Sequence, residues 1–272
     1  MLRRTFIRNA AIAGGMAAVP RLSGIINPRS DNDFPLIDLH VHLTGSFTID
    51  ALMEISTRTN VQFGIVENPG YRVRDNASLK SFIDILRPYP VYIGLQPMSP
   101  GWSGSFSPEL LSRLDYILMD AQTIPEGNSY KETLRIWNFD TYVDDTDKFM
   151  KAYMAHTLEV INNNEPLTTF GWPLSLPVCI ARDYYTLWTE GRMQQIISAA
   201  KKRKINIEIN DLSHTPHEKF ISMAKEQGLK FVFGSDTRDQ KAGRLDYCKY
   251  IAKKCNLKRE DFFIPERVIR RN

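Results

Sequence analysis

The chain has 272 residues with 35 basic and 31 acidic side chains, which gives a formal net charge of +4. Three of the basic residues lie within the first twenty positions, which contain no acid, so the rest of the chain is close to neutral. This balance argues against nucleic acid or an anionic membrane surface as a partner. Hydrophobic residues make up 43% and charged residues 24%, as in ordinary globular proteins, and the length suits one large α/β domain or two small ones.

The first twenty residues are typical of an export signal. The segment Arg3-Arg4-Thr5-Phe6-Ile7-Arg8 resembles a twin-arginine signal and precedes a small-residue stretch at 10–19. That stretch is too short to span a bilayer, so we expect no stable membrane anchor. The sequence therefore predicts a twin-arginine-type signal peptide at 1–20, a linker at 21–34 and one folded domain at 35–272. The predicted location is the periplasm or another exported compartment.

The segment 36–43 is predicted to be a β-strand with an unusual polar face. Strict alternation along a strand would place Ile37, Leu39 and Val41 on one face, and would place Asp38, His40 and His42 on the other. Two histidines that are two positions apart lie about 6 to 7 Å apart along a strand. Imidazole nitrogen is a ligand for zinc, iron, nickel and manganese, so the pair predicts a metal site. The alternative is an edge strand with two exposed histidines.

Hydrophobic patterns along the rest of the chain predict six more strands, near 61–67, 91–95, 114–119, 167–176, 205–210 and 230–236. Helices are predicted between them, near 49–55, 76–86, 107–111, 144–162, 183–203, 215–228 and 243–255. The aromatic-rich segment 121–143 is predicted to be an irregular insert that forms a lid or a substrate wall. This alternation predicts a parallel sheet.

Polar side chains occur at the carboxyl ends of the predicted strands: His42, Glu67, Gln96, Asp120, Asn210 and Asp236. Active sites of β/α barrels lie at that end, and open doubly wound sheets bind ligands there too. The first strand has no glycine-rich phosphate turn, which disfavours a nucleotide-binding sheet. We therefore expect a distorted TIM-like (β/α)7 barrel, with its site at this end.

The order of these strand ends resembles the PHP (polymerase and histidinol phosphatase) superfamily. The matching motifs are Asp38-Leu39-His40-Val41-His42 for its H-x-H, Gly64-Ile65-Val66-Glu67-Asn68 for its second motif, Asp115 to Asp120 for its fourth strand, Glu208-Ile209-Asn210 for its E-x-N, and Gly234-Ser235-Asp236-Thr237-Arg238 for its G-S-D-x-H. The resemblance implies a distorted seven-stranded barrel with a di- or trinuclear metal site and phosphoesterase activity.

Several positions depart from the superfamily pattern. Asn68, Gln96, Trp172 and Arg238 stand where the superfamily has histidines or an acid. The resemblance then implies a reduced set of metal ligands: His40, His42, Glu67 and Asp236. Such a set would hold one divalent ion (Zn, Mn or Fe), or two if Asp120 also took part.

The resemblance also implies roles for the neighbouring side chains. Asp236 or Asp120 would orient or deprotonate a water molecule. Arg238 would bind an anionic group on the substrate, and Trp172 would line the pocket. Glu208 is predicted to be a ligand, an orienting partner of a ligand, or a member of a salt bridge inside the barrel.

These residues predict a metal-dependent hydrolase that acts on a small anionic molecule. The resemblance implies that a phosphoester is the first candidate for this substrate. One alternative is a catalytically inactive PHP-like barrel that binds a small anionic ligand. A second is an amidohydrolase acting on an amide or lactone, since that superfamily also begins with D-x-H-x-H but has eight strands. The sequence gives no indication of the oligomeric state.

Overall fold

The structure, a computed structural model, describes residues 33–126 and 129–268, without the side chains of 129–132. The predicted signal peptide at 1–20 and most of the predicted linker at 21–34 lie outside the described residues. Among the helices in these ranges, none combines the length and the apolar character needed to cross a membrane.

Seven parallel strands close into a barrel, as the sequence predicted, and form a single domain. In chain order the nine strands are β1 (Ile37–Val41), β2 (Gln62–Glu67), β3 (Tyr92–Leu95), β4 (Tyr116–Met119), β5 (Thr123–Glu126), β6 (Ser129–Arg135), β7 (Thr169–Phe170), β8 (Asn206–Asn210) and β9 (Phe231–Gly234). The barrel order is β1-β2-β3-β4-β7-β8-β9, and it closes where Asp38 of β1 pairs with Phe233 of β9. An eight-stranded barrel of the amidohydrolase type is thus not formed.

Helices cover the outside of the barrel, and their amphipathic sequences explain where they pack. They are α1 (Ile49–Thr59), α2 (Asn76–Leu86), α3 (Pro108–Leu111), α4 (Thr146–Asn162), α5 (Tyr184–Leu187), α6 (Glu190–Arg203), α7 (Glu218–Glu226) and α8 (Asp246–Lys254). Thr48 caps α1 by accepting a hydrogen bond from the Ala51 amide at 3.4 Å. Asp145 caps α4 by accepting from the Lys148 amide at 2.9 Å.

Four predicted elements differ from the structure. The strand predicted near 167–176 is limited to Thr169–Phe170. The segment 121–143 is not irregular throughout, because β5 and β6 pair as an antiparallel hairpin within it. The helix predicted at 183–203 is interrupted, since Thr189 accepts from the Arg192 amide and begins α6 anew. The helix predicted from Thr215 begins only at Glu218, because Thr215 pairs with Asn210 in a tight turn.

The barrel interior is apolar below the site. A compact cluster fills it, made of Ile37, Leu39, Val66, Tyr92, Tyr116, Leu118 and Val232, with Phe263 and Ile264 of the C-terminal tail against it. The Tyr116 hydroxyl donates to the Leu39 carbonyl at 2.6 Å. A Cβ on Gly94 would collide with this ring, so the glycine makes room for Tyr116. Polar side chains lie above this cluster, at the carboxyl ends of the strands.

The strict alternation predicted for the first strand is wrong. The pairing of β1 with β2 shifts register between Asp38 and Val41, as at a β-bulge, where an extra residue changes the direction of the following side chains. Leu39 therefore packs inside the barrel while Val41 packs in the outer core. Asp38 is separated from the two histidines, which both turn towards the site.

Candidate metal centre

Three side chains converge at the carboxyl end of the barrel: His40, His42 and Asp236. One ligand atom from each lies within 4.8 Å of the others. The Nε2 atoms of His40 and His42 are both 3.4 Å from Asp236 Oδ1. Both Nε2 atoms are buried and make no hydrogen bond, although buried polar atoms are nearly always satisfied. Two imidazoles and a carboxylate form a donor set suited to zinc, manganese or iron, so these residues fit a divalent ion.

His40 is held by a buried carboxylate on the opposite side of its ring. Its Nδ1 lies 2.7 Å from Glu208 Oε1, and Glu208 Oε2 accepts from the Trp172 amide at 2.7 Å. Such a carboxylate fixes the orientation of a ligating histidine and directs its other nitrogen towards the ion. A Cβ on Gly234 would overlap both the Glu208 carboxylate and the His40 Cβ. Glycine in the G-S-D motif therefore allows Glu208 to reach His40.

Asp236 is brought over β1 by a turn of the backbone. Its φ of 48° is in the left-handed region, which aspartate tolerates better than most residues. The following carbonyl of Thr237 accepts from the His42 amide at 3.0 Å. Arg238 Nη1 donates to Asp236 Oδ1 at 2.7 Å and to its carbonyl at 3.0 Å. The oxygen that faces the two histidines is thus also paired with a guanidinium.

Burial and neighbouring charges determine the pKa values of His40, His42 and Asp236. Burial opposes the charge on His40, but the carboxylates of Asp236 and Glu208 outweigh it and raise the pKa of His40 to about 9. Burial lowers the pKa of His42. Burial also opposes the charge on Asp236, but the positive charges of His40 and Arg238 hold the pKa of that carboxyl well below its usual range. A carboxylate and one neutral imidazole are therefore ready to act as ligands.

Asp38 stabilises the loop that carries Asp236. Its carboxylate accepts from the amides of Ser235 at 2.9 Å, Gly243 at 3.1 Å and His40 at 3.2 Å. Burial raises the pKa of Asp38 to about 6, although these bonds lower it. The sequence motif D-x-H-x-H thus divides into one structural acid and two histidines of the candidate centre.

A chain of hydrogen bonds extends from the centre across three strand ends. The Asn68 side-chain amide donates to Gln96 Oε1 at 3.1 Å, and Gln96 Nε2 donates to Asp120 Oδ2 at 2.9 Å. Asp120 also accepts from the Gln122 amide at 3.0 Å. Burial raises the pKa of Asp120 to about 6. The side-chain amides of Asn68 and Gln96 therefore bind each other and Asp120.

Glu67 lies outside the group of three. Its carboxylate accepts from the Asn68 amide at 3.2 Å and lies 3.8 Å from Arg72 Nη1. Burial raises the pKa of Glu67. On β2 the interior positions are those of Gly64 and Val66, so Glu67 follows the opposite alternation. Its role as a ligand stays a prediction.

The centre opens into a pocket of about 930 Å³. Asp120, Asp236, Arg238 and Trp172 all line it, and the insert contributes Trp137 and Phe139, as expected for a substrate wall. The other wall residues include Tyr184, Tyr185 and Tyr247, which the sequence reasoning missed because they lie outside the strand ends. His214 and His217 also line the pocket, and His217 is buried.

Comparison with protein-family models and with curated protein sequences finds no match. Among solved structures, the chain is similar to histidinol phosphate phosphatase from Lactococcus lactis subsp. lactis, determined with zinc, L-histidinol and phosphate. The similarity covers 83% of this chain and 97% of that one, at 13% identity and a TM-score of 0.57. The two chains share a fold. The resemblance to the PHP superfamily is thereby confirmed at the level of the fold.

A second match is a chain in a structure of archaeal ribonuclease P with mature tRNA. It covers 87% of this chain and 96% of that one at 12% identity, but its TM-score is 0.39. That value is too low to support any inference about this protein.

Proposed function

We propose that this protein is a metal-dependent hydrolase that acts on a small anionic substrate, with a phosphomonoester as the first candidate. The observation that carries the proposal is the convergence of two unbonded, buried Nε2 atoms on the Asp236 carboxylate beside a large pocket. The histidinol phosphate phosphatase with the same fold was determined with zinc and phosphate, which supports a phosphoester over an amide or lactone.

The proposed ligands are His40, His42 and Asp236, which would hold one Zn, Mn or Fe ion. A second ion would need Glu67 or Asp120, neither of which belongs to the group of three. A bound divalent ion would supply Lewis acidity, which makes a water molecule more acidic and polarises a phosphoryl oxygen.

We assign proton transfer to Asp120. Its carboxyl lines the pocket, and burial raises its pKa to about 6, close to the pH at which a general acid or base works best. Asp236 is the weaker candidate for this role because its pKa lies well below the usual range. Gln96 fixes the orientation of the Asp120 carboxylate through its hydrogen bond.

Arg238 is the proposed binding group for the substrate anion. Its guanidinium lines the pocket and is half exposed, with one nitrogen bonded to Asp236. A guanidinium presents several parallel donors, so the remaining donors can bind phosphoryl or carboxylate oxygens. Trp172 would contact the substrate beside it, since it lines the same pocket.

The first test is metal content per chain, measured by elemental analysis on protein purified without chelator. We expect about one equivalent of Zn, Mn or Fe, and loss of that metal in His42→Ala because half of the imidazole donors are removed. His214→Ala is the matched control, since His214 lines the pocket without belonging to the ligand group. Full metal content in a folded His42→Ala variant would contradict the ligand assignment. Metal-dependent release of phosphate from monoesters would then test the reaction.

One observation favours a second candidate function, an inactive barrel that binds a small anionic ligand. Arg238 pairs with the Asp236 oxygen that faces the histidines, and a guanidinium there can take the place of an ion's charge. This candidate predicts no bound metal and no thermal stabilisation by any divalent ion. It also predicts that inorganic phosphate stabilises the protein and that Arg238→Gln abolishes this effect.

We also propose that residues 1–20 direct export to the periplasm, that 21–34 form a linker and that 35–272 form the domain. The paired arginines Arg3 and Arg4 support this proposal. Replacing both with lysine should leave a fused reporter in the cytoplasm, whereas the unchanged leader should export it. Equal export of both fusions would contradict the twin-arginine assignment.

A further inference from the structure

Large apolar side chains are exposed around the mouth of the pocket. Of the eight most exposed large hydrophobic residues in the described part of the chain, four line this pocket: Phe139 (90%), Tyr185 (76%), Leu212 (61%) and Val178 (59%). Soluble proteins rarely expose clustered apolar side chains without a ligand or partner for them. We call these four residues the apolar rim.

Rigid aromatic rings continue the apolar rim into the pocket. The rings of Tyr184, Tyr185 and His217 lie with centroids 5.3 Å apart in all three pairs, at interplanar angles of 82 to 85°. His217 Nδ1 lies 3.3 Å from the Tyr184 hydroxyl, and burial lowers the pKa of His217. Edge-to-face packing of this kind stabilises the rings against one another. The wall is therefore preformed and uncharged.

Charged side chains in the same pocket are few and follow the carboxyl ends of barrel strands. Among the described lining residues, the acids and bases other than histidine are Asp120, Asp236 and Arg238. Asp236 belongs to the candidate metal centre, and Arg238 is bonded to it. The pocket thus combines charged side chains at the carboxyl ends of the strands with an aromatic wall. Its volume is in the range of pockets that enclose a drug-sized molecule.

We infer that the substrate is an organic anion with a planar aromatic or otherwise bulky apolar body. The anionic group reaches Arg238 and the centre, and the body packs against the apolar rim and the three-ring wall, which share Tyr185. This inference rests on the proposed function, of which it specifies the substrate class. A short polar ester would leave the rim and the wall in contact with water, so it would gain nothing from burial of apolar surface.

Binding of two non-hydrolysable phosphonates tests the inference independently of turnover. Isothermal titration of the purified protein should show 1-naphthylmethylphosphonate binding at least tenfold more tightly than methylphosphonate. The double variant Phe139→Ala/Tyr185→Ala should lose most of this preference and bind methylphosphonate as the wild type does. Tyr142→Ala is the control, because Tyr142 is on the same insert and 75% exposed but does not line this pocket.

Hydrolysis assays with 1-naphthyl phosphate and glycerol 3-phosphate separate this inference from the proposed function. Equal affinity for the two phosphonates, or binding of neither, would overturn the inference even if both esters were hydrolysed. Preferential binding of the naphthyl compound with no hydrolysis of either ester would overturn the hydrolase proposal and leave the aromatic wall as a ligand site. Naphthyl preference in binding together with a higher kcat/KM for 1-naphthyl phosphate would support both.

Discussion

At the scale of single residues, the side chain of Glu208 connects the barrel wall to the candidate centre. One oxygen binds His40 and the other accepts from the Trp172 amide. His40 belongs to the candidate centre and Trp172 lines the pocket, so one carboxylate fixes a metal-ligand candidate and a pocket residue together. The carboxylate itself is completely buried, and its charge is offset by the protonated or metal-bound imidazole.

Glu208→Gln tests this orienting role. The amide can keep one of the two hydrogen bonds but not the negative charge, so His40 should become a weaker and less fixed ligand. We expect metal affinity to fall by about 10- to 100-fold, measured by competition with a fluorescent zinc chelator. Glu159→Gln, an exposed position on α4, is the control. Unchanged affinity in folded Glu208→Gln would exclude the role.

Gly234→Ala tests the close approach of Glu208 to β9. The new methyl group would overlap the Glu208 carboxylate and the His40 Cβ. We expect destabilisation of about 1 to 3 kcal/mol and weakened metal binding. Gly191→Ala is the matched control, since nothing lies within 4 Å of its Cβ position in α6; it should stabilise by about 0.5 kcal/mol. Urea unfolding measures both effects, and equal stabilities would refute the packing argument.

The residues that converge in the candidate centre were easier to find from the sequence than their surroundings. His40 and His42 converge because they are two positions apart on one strand, which a sequence shows directly. Asp38 was grouped with them wrongly, because a β-bulge depends on pairing with β2 and leaves no local signal. Tyr184, Tyr185 and Tyr247 were missed because their approach to the pocket depends on how helices pack around the barrel.

At the scale of elements, the seven barrel strands were predictable because each is a short segment, either apolar or alternating as in β8, between turn residues. The β5–β6 hairpin was not predicted because Pro125 interrupts the strand pattern of β5, although Gly127-Asn128 between the two strands is a dipeptide typical of hairpin turns. The interruption before α6 was also missed, although Thr189 followed by Glu190 is a good helix start. The helical spacing of hydrophobic residues continues across Thr189, so it predicted one helix at 183–203.

The N-terminal cap of helix α4 can be tested by mutation, because this helix packs several large side chains into the core outside the barrel. Asp145 accepts from the Lys148 amide, and α4 buries Met150, Tyr153 and Val160. Asp145→Ala should lower the free energy of unfolding by about 1 kcal/mol. Asp145→Asn should retain most of that stability because asparagine also caps helices well. Thermal or urea unfolding of the two variants compares them, and equal losses would contradict the capping role.

At the scale of the whole molecule, His40 predicts how stability depends on pH after treatment with a chelator. Glu208, Asp236, His42 and Gln96 face its ring, and its pKa is raised from 6.5 to about 9. The folded state therefore binds a proton that the unfolded state releases, so the stabilisation is complete below pH 6.5. It is lost as pH rises through about 9, by about 3 kcal/mol in total.

Urea unfolding between pH 6.5 and 9.5 measures this dependence. His40→Gln should flatten it, whereas His214→Ala should leave the wild-type slope. Adding zinc should also flatten the slope in the wild type, because a metal ligand is a neutral imidazole. A slope that is the same in His40→Gln would show that other groups are responsible.

The position of the candidate centre at the junction of β1 and β9 has a consequence for the order of biosynthesis. Asp38 and Ser235, which bind each other across this junction, are 197 residues apart, and the histidines and Asp236 lie on its two sides. The ligand group therefore cannot assemble on the ribosome until nearly the whole chain has emerged and the barrel has closed. The proposed ion would then bind only after the barrel has folded. A pathway that transports folded proteins would carry the ion together with the chain.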